Sequence, residues 1–221
     1  MDAELKPHDL RILLDRALIE AVSMTKNLPF NNQQGNRKRS SQWVESVANQ
    51  FKSIYQEDES IRIFSKGFPG NRELFGINEL LYDILVCEIN VDLKSPSQKR
   101  KLAYITKALW QIESEFGKST KEVFVDFNKL VIGESQQKLF IGASNDYQHE
   151  IKEALIHPAK CCQGDVYLAF VPHPNTWDGE KLEIELWRKS NGWVPILLNS
   201  SFILLLQQGS QMRQTVQQIL T

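Results

Sequence analysis

The segment WQIESEF, Trp110 to Phe116, sets two carboxylates, Glu113 and Glu115, two residues apart in an otherwise apolar run. Side chains alternate between faces along a strand, so the two glutamates project together while Trp110, Ile112 and Phe116 line the other face. Two negative charges side by side repel. If the pair is exposed, water screens the repulsion and the segment is the polar face of an edge strand. If it is partly buried, a positive charge must sit between the carboxylates, and a hard divalent cation held by oxygen ligands is the usual candidate.

The elements around the pair follow from periodicity. Leu10, Leu13, Leu14, Ala17, Leu18, Ala21 and Val22 recur at helical spacing, as do Trp43, Val44, Val47, Ala48, Phe51 and Ile54. The polar stretch between them, PFNNQQGNRKRSSQ, reads as a flexible loop with a basic tip at Arg37, Lys38 and Arg39, and Ser40 or Ser41 reads as the N-cap of the second helix. IRIFSK from Ile61 is a short strand and GFPGNRE a turn-rich connector. ELLYDILVCEINV then runs from Glu79, at the end of a helical turn, into a strand alternating through Asp83, Leu85, Cys87, Ile89 and Val91. That strand and WQIESEF pair as antiparallel neighbours across the polar turn SPSQKRK.

A marked helix follows. Ser119 and Glu122 have capping-box spacing, Val123, Phe124, Phe127, Leu130 and Val131 form an apolar stripe, and Gly133 supplies a stop. KLFIGAS is the next strand, returning parallel to WQIESEF by a right-handed crossover. A helix over Tyr147 to Leu155, strands DVYLAFVPHP and KLEIELWRK, and a short amphipathic helix over Met212 to Leu220 complete the chain.

The order of these elements, with acids in ELLYDILVCE and WQIESEF, resembles the PD-(D/E)XK nuclease superfamily, the fold of many restriction enzymes. The resemblance covers residues 61 to 145 and rests more on element order than on any single residue. It implies an α/β, restriction-endonuclease-like mixed central sheet flanked by helices (residues 61 to 221), with an N-terminal helical segment (residues 1 to 60) packed on it. Asp83 matches the family's first acid, Glu113 its second, and Glu79 the extra glutamate that some members supply from the preceding helix. Glu115 stands where the family usually has lysine, a Glu-Ser-Glu variant found in some restriction enzymes. The lysine migrates in some relatives, so the resemblance offers Lys118 or Lys129 as the source of the positive charge, with Lys129 also a candidate nucleic-acid contact; Lys129 lies roughly opposite the apolar stripe of its helix, as a solvated lysine would.

The implied activity is Mg²⁺-dependent cleavage of DNA, with Mn²⁺ as a substitute, in a restriction or defence role and by a homodimer that cuts both strands. Hydrolysing a phosphodiester needs an activated water and charge neutralised on the phosphate, which one or two Mg²⁺ ions can supply. Asp83 and Glu113 would be the ligands, Glu115 a general base or the holder of a metal-linked water, and Glu79 a ligand for a second ion or a group orienting water. Each acid has a plain structural alternative: a strand-end cap for Asp83, a solvated helix position for Glu79, an exposed face for the glutamate pair. The competing function is a nuclease-fold subunit that binds DNA or protein without cutting, and RNA is a third possible substrate.

The formal net charge of -1 leaves nucleic-acid binding to local patches. Arg37 to Arg39, Arg188 with Lys189, and Lys99, Arg100 and Lys101 are the candidates, the last best placed because it joins the two acidic strands. No glycine-rich loop ends in Lys-Ser, which disfavours an ATPase; His8, His149 and His157 lack the spacing of a zinc site or a triad, and His173, between prolines near Trp177 and Asp178, reads as a structural loop histidine, with contact to DNA or a partner the alternative. Cys87, Cys161 and Cys162 read as free thiols of a reducing cytoplasm. The charged N-terminus and the shortness of FILLLQQ point to a soluble, cytoplasmic protein without a membrane span, in which FILLLQQ and the last helix are core or dimer elements.

Overall fold

The computed structural model describes residues 5–30, 32–94, 101–117, 119–178 and 182–197. Seven strands form one mixed sheet in the chain order β1-β2-β3-β4-β5-β6-β7: β1 Ile61–Ser65, β2 Ile84–Lys94, β3 Lys101–Glu115, β4 Ser135–Ser144, β5 Asp165–Pro172, β6 Glu185–Lys189 and β7 Trp193–Pro195. The central strands β3, β4 and β5 run parallel and the outer pairings are antiparallel. Parallel neighbours need crossovers, and the helices α4, Thr120–Ile132, and α5, Gln148–Cys161, provide them. The chain is thus a mixed α/β fold with an N-terminal helical segment, as its patterning leads one to expect.

Each sheet face buries a separate core. Toward α1, Pro7–Thr25, and α2, Gln33–Ile54, the sheet presents Ile84, Val86, Trp110, Ile112, Leu139 and Ile141 against Leu14, Trp43 and Phe51. Toward α4 and α5 it presents Leu85, Cys87, Phe140 and Leu168 against Phe127, Leu130 and Leu155. Alternation along β2 and β3 divides the residues between these cores, so the parity of a position decides which helix layer it meets.

The structure corrects several local expectations. PFNNQQGNRKRSSQ is no loop beyond its first residues: α2 starts at Gln33, capped by the Asn32 carboxamide, which accepts from the Gln34 and Gly35 amides. Ser40 and Ser41 lie inside the helix. Arg39 is fully buried, donating to Leu28 O, Pro29 O and Asn36 Oδ1 and lying 4.3 Å from the Phe30 ring centre. This guanidinium ties the α1–α2 turn together, which polar composition alone did not reveal.

Glu79 does not end a helix. The short helix α3, Arg72–Phe75, stops at the left-handed Gly76, and Glu79 follows in irregular chain. Ser119 occupies the N-cap position of α4, but its side chain makes no capping bond, and Gly133 ends the helix in extended conformation. A Cβ at Gly133 would collide with the Gln111 and Tyr82 side chains, so close approach explains this glycine. Helix α5 runs on past Leu155 through Pro158 to Cys161.

Cys87 and Cys162 are buried and Cys161 is exposed, all three as free thiols. Among the described residues no helix is long and apolar enough to cross a membrane. The FILLLQQ run and the expected helix over Met212 to Leu220 lie outside the described residues.

Candidate active site

Glu113 and Glu115 share the face of β3 that meets α4. Glu113 is 1% exposed and lies at the carboxyl end of a parallel strand, where open α/β sheets gather their functional groups. Its charge is met by the chain itself. Lys129 of α4 reaches Glu113 Oε2 with its Nζ at 3.2 Å and Asp126 Oδ1 at 2.7 Å. The reading of Lys129 as a solvated residue is therefore corrected. Its backbone lies off the apolar stripe, but the flexible four-carbon stem carries the amine back over β3.

The second oxygen, Glu113 Oε1, is buried and has no hydrogen-bond partner. Burial pushes the Glu113 carboxyl up to about 8, with the negative charge of Asp83 adding to it and Lys129 opposing. Lys129 loses basicity by burial, yet its bonds and charge contacts with Asp126 and Glu113 outweigh this and raise its pKa.

Asp83 immediately precedes β2. Ile84 pairs with Ile112, and one further step of that antiparallel register sets Asp83 opposite Glu113. Asp83 Oδ2 accepts the Ser114 amide at 2.9 Å, which fixes the carboxylate across the strand. Burial raises its pKa, while the Ser114 bond and the Lys129 charge pull it down. Ser114 points to the opposite face, where its hydroxyl accepts from Trp43 Nε1 at 3.2 Å. A residue of α2 thus supports the strand end from behind.

Glu115 is half-buried and accepts the Gly117 amide through Oε1. Burial raises its pKa and a hydrogen bond to Asp126 raises it further, since two carboxyl groups bond to each other only through a proton. Glu79 is exposed and lines a cleft of about 300 Å³ with Asp83, Ser114, Phe116, Lys66 and residues of α2.

The four predicted acids therefore fall around one strand end: Asp83 and Glu113 side by side, Glu115 one step outward, Glu79 at the mouth. Among the predicted cations Lys129 enters the site. Lys101 begins β3, whereas Lys99, Arg100 and Lys118 lie outside the described residues. Arg188 bonds Asp165, and Lys189 donates to Cys162 O, both beside the start of β5. Asp126 was missed, although its spacing of three from Lys129 puts both on one helix face. Trp43 was read only as a core position, and nothing in its spacing signals the bond to Ser114.

Among the described residues no three His, Cys, Asp or Glu side chains are grouped as a ready cation cage. The oxygens of Asp83 and Glu113, one of them buried without a partner, nevertheless suit a hard cation in donor type. Comparisons with protein-family models, with curated proteins and with solved structures found no match to this chain.

Proposed function

We propose that this protein is a metal-dependent endonuclease that hydrolyses DNA phosphodiester bonds. The observation that carries this reading is the buried Glu113 carboxylate, bound to Lys129 through one oxygen and unpartnered at the other, with Asp83 alongside. An aspartate, a glutamate and a lysine converging at the end of a parallel strand are the three groups phosphodiester hydrolysis asks for, and here α4 supplies the lysine that the Glu-Ser-Glu segment lacks.

Asp83 and Glu113 would hold Mg²⁺, or Mn²⁺ in its place. Bound there, the cation supplies a nucleophilic water and neutralises charge on the phosphate. The Lys129 amine sits beside Glu113 and can meet a phosphate oxygen or hold a proton at Nζ. Glu115, whose carboxyl is made a weaker acid than usual by burial, stands one step outward as the candidate base. Glu79 faces the solvent side of the cleft, where it can orient water. A homodimer would bring two such sites to the two strands.

The test is cleavage of plasmid DNA by the purified protein with Mg²⁺ or Mn²⁺. Asp83→Ala and Glu113→Ala should each abolish nicking while the circular dichroism spectrum is unchanged; full activity in either would refute the site. One observation favours a second reading, a nuclease-fold subunit that binds without cutting: Lys129 already balances Glu113 with no cation. Absence of cleavage of any DNA or RNA by the wild type would favour it.

A further inference from the structure

Leu81 sits between the two acids of the cleft, Glu79 and Asp83, and its backbone is unusual. Its φ is +64°, the one positive φ at a non-glycine residue among those described. The Tyr82 amide donates to Leu80 O at 2.7 Å, closing a three-residue γ-turn of the rare, strained hand with Leu81 at its centre. A branched side chain occupies this region only where its surroundings impose it.

They do so here. Leu80 packs against the core under α4, and Tyr82 is buried in it with its hydroxyl donating to Lys129 O at 3.3 Å. With both neighbours drawn inward, Leu81 is driven out and is 79% exposed. The fold thus spends backbone strain to hold a leucine in water beside the candidate active site.

Two residues before that leucine, Glu79 lines a second hollow that holds two cations and a partly exposed isoleucine. This hollow of about 340 Å³ next to the cleft is lined by Lys66, Arg72, Ile77 and Glu79, and Ile77 is 42% exposed. Among the described residues neither Lys66 nor Arg72 is held in an ion pair. An exposed leucine two residues along the chain from a hollow with two unpaired cations matches a nucleic-acid strand, whose bases offer apolar faces and whose phosphates offer negative charge.

We propose that the Leu80–Tyr82 turn is a nucleobase-contacting wedge: Leu81 packs on the face of an unstacked base while Lys66 and Arg72 hold the adjoining phosphates. This rests on the reading that the cleft takes nucleic acid, and it names the feature the protein acts on, a base already unstacked or opened on binding.

The test uses the full chain in EDTA with fluorescein-labelled oligonucleotides for affinity and 2-aminopurine oligonucleotides for unstacking. Wild type should bind and brighten the 2-aminopurine. Leu81→Gly should weaken binding about tenfold and lose the brightening. Glycine relieves the strained turn, so the urea midpoint of Leu81→Gly should equal or exceed that of wild type, which separates a lost contact from a lost fold. Lys66→Ala with Arg72→Ala should weaken binding and flatten its salt dependence.

Equal affinity and brightening in Leu81→Gly and wild type would overturn the wedge, even if the wild type cleaves DNA. Binding and brightening that depend on Leu81, in a protein that cuts nothing, would support the wedge and refute the nuclease. A wild type that binds no oligonucleotide would overturn both.

Discussion

Lys129 Nζ lies 3.2 Å from Glu113 Oε2, so a lysine sixteen residues further along the chain, on the crossover helix, closes over the one carboxylate of β3 that is sealed from solvent. The same amine holds Asp126 at 2.7 Å, a carboxylate that also lies near enough to Glu115 to raise its pKa.

Replacing Lys129 by methionine keeps the stem and removes the charge. Metal-dependent cleavage should fall by about 10²-fold or more, because a charge poised at the reacting phosphate is lost. Stability should drop by roughly 1 to 3 kcal/mol, since Glu113 loses its one partner in the interior. Single-turnover cleavage rates and urea unfolding measure the two effects; undiminished cleavage would remove Lys129 from the site.

The Glu113 carboxyl sets a pH dependence in the metal-free protein. It ionises near 4.5 in an unfolded chain and near 8 when folded, burial being the main cause. Between these values the folded state keeps a proton that the unfolded state has released. The stabilising contribution is thus complete below about 4.5 and is lost as pH rises through about 8, with a slope of at most roughly 1.4 kcal/mol per pH unit. Urea midpoints should decline across this range in wild type and decline less in Glu113→Gln; parallel curves would show that Glu113 ionises normally.

Trp43 links α2 to the strand end through its bond to Ser114. Trp43→Phe preserves most of the buried ring but strands the serine hydroxyl, so a loss of about 1 kcal/mol is expected beyond the change in volume. Removing residues 5–55 would also expose Trp110, Ile112 and Leu139 together. The remaining chain should lack a cooperative unfolding transition, and a sharp transition in it would mean that the sheet folds without its N-terminal helices.

The three thiols should differ in reactivity. Burial pushes Cys87 up to about 12, only partly offset by Arg62, and burial raises Cys162 as well, whereas Cys161 is exposed. Iodoacetamide under native conditions should label Cys161 and spare the other two until denaturant is added, as peptide mass mapping would reveal.

Much of the layout was legible along the chain. Period-two alternation marked β2 and β3 as neighbouring strands and set Glu113 and Glu115 on one face, and the stripe of Val123, Phe127 and Leu130 marked α4 as the crossover helix. These are local consequences of side-chain spacing, so one strand or helix suffices to read them. The polar run before Trp43 was misread because Arg39 finds two carbonyls and an aromatic ring in the preceding turn, partners distant enough that polar composition does not signal them.

The sequence by itself determined that two acidic strands adjoin and which helix follows them. Only the tertiary structure decided that Glu113 is sealed from water while Glu79 is not, that Lys129 bends back to meet it, and that Leu81 is held outward in a strained turn. The physical reason is that burial, charge pairing and backbone strain belong to no single segment. Each arises where side chains distant in the chain are forced into one dry space, and spacing along the chain does not encode that distance.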